Sequence, residues 1–487
     1  MDNVETSPVP SVQGHAKELD KFQGEEFPEA ERIALEKAVW NKLDRRVLPI
    51  CTIFYLLSFL DRSNVSNARV AGMQTALEMS NYDYSVALTI TYVPYIAAEL
   101  PSNLLLKYIG PDLMLPAMIT LWGIVAALQG VVHSYAGLLA CRFFLGLMEG
   151  GLFPGLVLYL SFFYPRDRLQ IRIATFFASA SLAGAFSGLL AAAIMEMDGT
   201  GGKPGWAWIF ILEGIFTFLF GSVSFFFLPR SASGARFLSR EEQAFVAYRL
   251  KHDGAVALDE QNDAFSWIEV ARSAKSPHVL FLAIVLFFDG MTLYSLAYFE
   301  PTIVTSLGYA GNRAQLMSVP PFAAAFVSSL ISAFVSDRYR CRGLTTIFFS
   351  ILALIGFSIK SHRIRYGSLF FSVSGSYCAA PALSTWMANN SAPHVRRATS
   401  IAIAFIMTNS GGILATWLLG SLSPAPDYTK ATVTSIIMCI GMVVFSAINI
   451  AYLLRENRAK IVKRRTMSKE EEPEHLGDRS AWFVYSL

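Results

Sequence analysis

Long apolar runs separated by short polar stretches dominate this chain. A membrane-spanning helix needs ~20 mostly apolar residues. Runs of that kind fall near 47–69, 84–107, 112–132, 136–163, 170–195 and 206–228, and again near 278–306, 314–335, 343–360, 366–390, 398–421 and 430–454. The pattern predicts an all-α integral membrane protein with twelve transmembrane helices in two pseudo-symmetric six-helix bundles. It divides the chain into an N-terminal tail with an amphipathic helix over 1–46, a first bundle over 47–228, a middle loop over 229–277, a second bundle over 278–454 and a C-terminal tail over 455–487. The middle loop is polar and carries Pro229, Gly234 and Gly254, and its Ser239-Arg240-Glu241-Glu242 reads as a capping box opening a helix. Val93-Pro94 in the second run and Val319-Pro320 in the eighth stand 226 residues apart, each followed by aromatic and Ala residues. With the six-plus-six grouping, this favours a duplicated bundle holding a central site between its halves.

Lys and Arg in short loops set orientation. Arg166, Arg168 and Arg172 lie between runs 4 and 5; Arg338, Arg340 and Arg342 follow run 8; Arg396 and Arg397 follow run 10. All share one side with both tails and the middle loop, so that side is expected to be cytoplasmic. The loop between runs 3 and 4 has no Lys or Arg, whereas Lys360, Arg363 and Arg365 oppose the rule by falling on the outer side.

Composition narrows the class. The 487 residues are 53% hydrophobic and 16% charged, well below the roughly 25% charged of soluble domains, and the net charge of +3 is too small to suggest nucleic acid as a partner. Cys51, Cys141, Cys341, Cys378 and Cys439 lack metal-ligand spacing and read as apolar thiols. The start MDNVETSPVP has no basic, then apolar, signal-peptide pattern. The seven His residues form no metal or triad constellation, and Gly199-Thr200-Gly201-Gly202-Lys203-Pro204 lacks the spacing and the following Ser or Thr of a phosphate loop. No cofactor, nucleotide or enzymatic chemistry is therefore expected, and any transport would be driven by a gradient.

The informative residues are charges inside the apolar runs, since each costs a few kcal/mol unless partnered or used. Run 1 holds Asp61-Arg62, and run 4 holds Arg142 and Glu149, seven residues apart and so on one helix face. At ~1.5 Å per residue, Asp61 and Arg142 fall at similar depth with Glu149 deeper. The expectation is that Asp61 pairs with Arg142 and leaves Arg62 facing a cavity, where its planar guanidinium suits a carboxylate. Glu149, flanked by Gly150 and Gly151, is the candidate proton carrier. The alternative is a network that only locks runs 1 and 4 together. Glu99 and Glu213 lie in runs 2 and 6 as weaker candidates; Asp289 in run 7 sits near the repeat equivalent of Asp61-Arg62 and is a candidate for the second half of the cavity; Asp337-Arg338 ends run 8 as a candidate gate or brace.

Several segments in order carry a family resemblance: KLDRRVLP before run 1, FLDRSNVSNARVAGM, ELPSNLLLKYIGP, RFFLGLMEGGLFPG, GWAWIFILEGIFT, LMSVPPFAAAFVSSLISAFVSDRYRCRG, PALSTWMANNSAPHVRRATSIAIA and TNSGGI. From about Leu35 to the C-terminus the chain resembles the major facilitator superfamily, and within it the anion:cation symporters of fungal allantoate permease type. The resemblance implies alternating access between the halves, proton symport of a small organic anion, and a fungal plasma membrane. It implies that Asp61, Arg62, Arg142 and Glu149 are the coupling and binding charges, with Tyr95, Trp386 and Asn409 shaping the pocket; Tyr95 and Trp386 also read as packing aromatics, and Asn409 as a helix-contact hydrogen bond. The chain departs from the pattern at KYIGPDLML after run 2, at Val484 in the tail, where a basic residue is usual, and at Asp289, an extra acid suited to a substrate that also carries a positive or donor group. The expected partners are thus a small organic anion, protons and the lipid bilayer, with one chain sufficient as a monomer. The alternatives are an efflux antiporter of the same fold, a non-transporting nutrient receptor, and a membrane-embedded enzyme, for which no nucleophile or metal cluster is visible.

Overall fold

Buried polar residues decide which helices face inward. The computed structural model describes residues 29–252, 267–339, 341–359, 364–392, 394–423, 428–466, 472 and 476–487. After an amphipathic helix α1 (Glu29–Arg46), the first half comprises α2 (Leu48–Val70), α3 (Asn81–Ile109), α4 (Pro111–Gln129), α5 (Tyr135–Glu149) continued by α6 (Leu152–Ser161), α7 (Arg166–Met195) and α8 (Gly205–Phe227). Two connecting helices, α9 (Arg240–His252) and α10 (Trp267–Ala274), lead to the second half: α11 (Pro277–Ser306), α12 (Asn312–Tyr339), α13 (Arg342–Ser358), α14 (Arg365–Asn389), α15 (His394–Trp417) and α16 (Thr429–Thr466). Each apolar run is thus helical to within a few residues, and α16 extends twelve residues beyond its run.

Among the described residues, eight spans are long and apolar enough to cross a bilayer on composition alone, the α5–α6 pair counting as one; α13 is apolar but shorter. The helices that miss that threshold include α2, whose Ser58, Asp61, Arg62, Ser63, Asn64, Ser66 and Asn67 are all buried, and α14, whose Ser368, Ser372, Ser374 and Ser376 are buried. Their polar faces turn away from the lipid, while large apolar side chains of α8 such as Phe216, Leu219, Phe226 and Phe227 are exposed on the outside. That arrangement keeps polar groups out of hydrocarbon.

The halves meet where α7 packs on α12, α2 on α11 and α3 on α15. On the face away from the termini, Ser85 bonds Ser421 (2.7 Å) and the carbonyl of Thr416 (3.2 Å), and the amide of Gln315 reaches the carbonyl of Asn67 (3.3 Å). On the terminal face, Asp44 at the end of α1 organises the first half. Arg172 grips its carboxylate through both oxygens (2.9 and 2.7 Å) and Tyr164 donates a third bond (2.9 Å). Arg172, read from sequence only as a topological charge, is therefore also a buried brace. The predicted capping box forms: the Ser239 amide donates to Glu242 (2.8 Å) and the Glu242 amide to Ser239 Oγ (3.2 Å). Burial pushes the Glu242 carboxyl up, but the hydrogen bonds from Lys42 and Ser239 outweigh it and hold it below the usual carboxylate range. Lys360 and Arg363, which opposed the orientation rule, lie outside the described residues, and Arg365 begins α14.

Candidate functional site

Close helix contact brings the central charges together. A Cβ on Gly146 would sit 2.0 Å from the Thr91 carbonyl oxygen, and one on Gly150 2.3 Å from that of Tyr95. Only glycine lets α5 lie this close to α3. The helix breaks at Gly150-Gly151, directly after Glu149.

Glu149 meets α2 at this break. Its Oε1 accepts from Arg62 Nη2 at 2.7 Å and also from Ser58 Oγ. Arg62 is 8% exposed and Glu149 2%, so this is a desolvated ion pair. The second arm of the guanidinium crosses between the halves: Arg62 Nη1 donates to Tyr294 OH on α11 (3.2 Å), and Tyr294 donates to Asn409 Oδ1 on α15 (3.2 Å). Rings pack around the cation, with Phe59, Tyr95 and Tyr294 centred 4.9, 5.5 and 5.6 Å from it, and cation–π attraction is strongest where water is excluded. Aromatic layers lie on either side. Toward the distal face Tyr92, Tyr294 and Tyr298 pack together, and Tyr92 donates to Tyr298 (3.2 Å). Toward the terminal face Phe153 of α6 meets Phe405 of α15 at 4.1 Å between centroids, with Tyr55 behind.

This corrects the expected pairing. Arg62, expected to be left free, holds an ion pair with Glu149, while Asp61 keeps Arg142 as an opposite charge in electrostatic reach but makes no hydrogen bond to it among the described residues. Neighbouring residues on a helix point about 100° apart, so Arg62 looks toward Glu149 of α5 and toward α11, while Asp61 looks toward Arg142 of α5, α4 and α8. Asp61, Glu213 and Trp122 gather around Arg142 there, with Phe210 5.8 Å from its guanidinium. No hydrogen bond reaches either Asp61 oxygen or Arg142 Nε and Nη2 among the described residues. Arg142 is thus the counter-charge of a separate acidic cluster inside the first half.

The remaining candidates divide. Tyr95 and Asn409 join the centre. Trp386 does not: it is fully buried at the terminal end of α14, where its Nε1 donates to the Ser486 carbonyl of the tail (2.9 Å). Asp289 is fully buried on α11 with Cys439 of α16 and Tyr294 in electrostatic reach, and its oxygens accept no hydrogen bond among the described residues. It makes no hydrogen bond to the centre among the described residues. Arg338 ends α12 exposed, and the Asp337 side chain lies outside the described residues. Sequence reasoning missed Ser58, Tyr294 and Tyr298; two tyrosines four apart on one helix face, in a run with a single Asp upstream, were the available signal. It also missed Glu300, fully buried on α11 beside Tyr366 and Tyr377.

Comparison with known proteins agrees with this architecture. The profile of the Major Facilitator Superfamily matches residues 51–416. An uncharacterized transporter of Schizosaccharomyces pombe, C1002.16c, is 34% identical, the match covering 92% of this chain and 89% of that one. The high-affinity nicotinic acid transporter of Saccharomyces cerevisiae is 29% identical over 93% of this chain and 85% of its own. Among solved structures, a bacterial homologue of the human lysosomal transporter Spinster, in an inward-facing and occupied conformation, superposes with a TM-score of 0.60 at 15% identity, covering 88% of this chain and 98% of that chain; it shares the fold.

Proposed function

The chain is a multi-pass membrane transporter of the Major Facilitator Superfamily, and we propose that it carries a small organic anion together with a proton, inward, through the Arg62–Glu149 centre. The observation that carries this reading is the buried ion pair whose guanidinium also bonds the opposite half. A desolvated arginine needs one anion beside it. Without substrate, Glu149 serves. A substrate carboxylate that takes the guanidinium fork displaces Glu149, whose charge then has no partner and is relieved by a proton. Anion and proton thus arrive and leave together, and the centre stays neutral in both states. The name of the yeast relative supports a carboxylate, since nicotinic acid is one.

Other residues take supporting roles. Tyr294 and Asn409 link the guanidinium to α11 and α15, so a change in the ion pair reaches the second half. Tyr95 shapes the pocket. Asp61, Arg142 and Glu213 tune the field around the first-half helices, and Asp289 bears on the pocket through Tyr294. The Lys and Arg bias makes the terminal face cytoplasmic, in a plasma membrane, with one chain holding both halves and acting alone. Subfamily membership with the anion:cation symporters of allantoate permease type belongs to the same reading.

Uptake of radiolabelled nicotinate and a panel of other small carboxylates into proteoliposomes, with and without an inward proton gradient, tests it. At least one carboxylate accumulates only with the gradient, and a proton ionophore abolishes the accumulation. Efflux that rises with an opposing gradient would instead assign export.

A further inference from the structure

On the terminal face of the second half, side chains of α14 and α16 hold the extended C-terminal segment by its main chain. Asn390 at the end of α14 meets Ser486 twice: its Nδ2 donates to the Ser486 carbonyl and its Oδ1 accepts from the Ser486 amide, both at 2.8 Å. Asn457 on α16 does the same to Tyr485, both at 2.9 Å. Two carboxamides therefore satisfy both main-chain groups of two successive residues, as a neighbouring strand would. Trp386 adds a second donor to the Ser486 carbonyl. Beside them Lys460 lies 3.8 Å from the centre of the Tyr485 ring and donates to the Phe483 carbonyl (3.0 Å), while His278 and Phe483 flank the same ring. Tyr485 is buried, and Val484 before it points to solvent, 62% exposed.

The docked segment also reaches the connecting helix. Arg396 at the start of α15 is 3% exposed and is bracketed by two carboxylates, Glu269 of α10 and Asp478 of the tail; it also bonds the Leu476 carbonyl (3.1 Å). Ser273 of α10 donates to the Arg396 carbonyl (3.1 Å). One buried cation thus fastens tail and connecting helix to the same point, and that helix ends at Ala274, three residues before α11 begins at Pro277. Losing one carboxylate leaves the desolvated guanidinium less compensated.

We infer that Trp386, Asn390, Asn457 and Lys460 form a peptide-recognition groove whose ligand is the chain's own C-terminal segment, and that this docked segment clamps α10 onto the second half. Recognition through main-chain groups tolerates changes at the outward-pointing Val484 and demands an aromatic ring at 485. Trp386, on this account, serves tail docking and has no contact with the transported molecule.

The test uses the full chain in nanodiscs and follows backbone hydrogen exchange. In the wild type, the amides of Tyr485 and Ser486 are protected. In Asn390→Ala/Asn457→Ala they exchange about tenfold faster or more, α10 residues 267–274 speed up with them, and amides of α2 and α5 are unchanged, which establishes that the variant is folded. In parallel, a fluorescent synthetic peptide of residues 477–487 binds a chain ending at Leu476 and fails to bind the full chain, whose groove is filled. An unprotected tail in the wild type, a double variant whose tail stays protected, α10 amides indifferent to tail release, or equal peptide binding by both chains overturns the inference.

Discussion

Glu149→Gln is expected to uncouple transport from protons while leaving exchange of substrate intact. Glutamine keeps the size of the side chain and can still accept from Ser58 and Arg62, so the contacts at the α5–α6 break survive. It cannot take up or release a proton. In proteoliposomes the wild type accumulates anion by up to about tenfold for each pH unit imposed across the bilayer. The variant brings inside and outside only to equal concentration, whatever the gradient, yet still swaps labelled for unlabelled substrate in counterflow. With Arg62 lacking a charged partner in the variant, apparent affinity for the anion rises rather than falls. Accumulation by Glu149→Gln that tracks the proton gradient like the wild type's would remove Glu149 from the coupling step.

Arg62→Ala is expected to cost both function and stability, and a second substitution separates the two. Removing the guanidinium leaves Glu149, 2% exposed, as a buried acid without its cation, at a cost of about 3–5 kcal/mol for a buried pair broken on one side. Folded yield and thermal stability fall. Uptake drops about 100-fold or more, since the cation placed to receive the carboxylate is gone. In Arg62→Ala/Glu149→Ala neither charge remains and most of the stability returns, but uptake does not. Arg62→Lys restores a charge but not the fork that spans Glu149 and Tyr294, so it stays well below wild type. If the double variant transports normally, the pair is a structural tie between α2 and α5.

The helices were legible because their signal is length and apolarity, which need no knowledge of neighbours. The break in the fourth span was not read from the run 136–163, although Gly150-Gly151 after Glu149 marks its place. The charges that matter were legible as a set, because bilayer-depth ionisable groups stand out against apolar runs. Their pairing was not. Which of Asp61 and Arg62 meets Glu149 and which meets Arg142 depends on the rotation of α2 about its axis, and depth counting along a helix carries no information about azimuth. A different error placed Trp386 in the pocket: the resemblance supplied a tryptophan in the tenth span, whereas its depth at the terminal end of α14 puts it against the tail. Tyr294 was hidden for a different reason. It adds no charge to its run, and its importance arises only where the second half meets Arg62 and Asn409, a contact between residues 232 apart in sequence.

The central claim is that a carboxylate displaces Glu149 from Arg62 and that a proton neutralises Glu149 as it leaves. Proton uptake on binding measures this without any membrane gradient. Purified protein in weakly buffered detergent solution is titrated with a carboxylate found to be transported, while the pH of the solution is followed. The account predicts that the wild type takes up roughly one proton per anion bound, and that Glu149→Gln binds the anion with no proton uptake. Anion binding by the wild type without a change in pH, or undiminished proton uptake by Glu149→Gln, would contradict it.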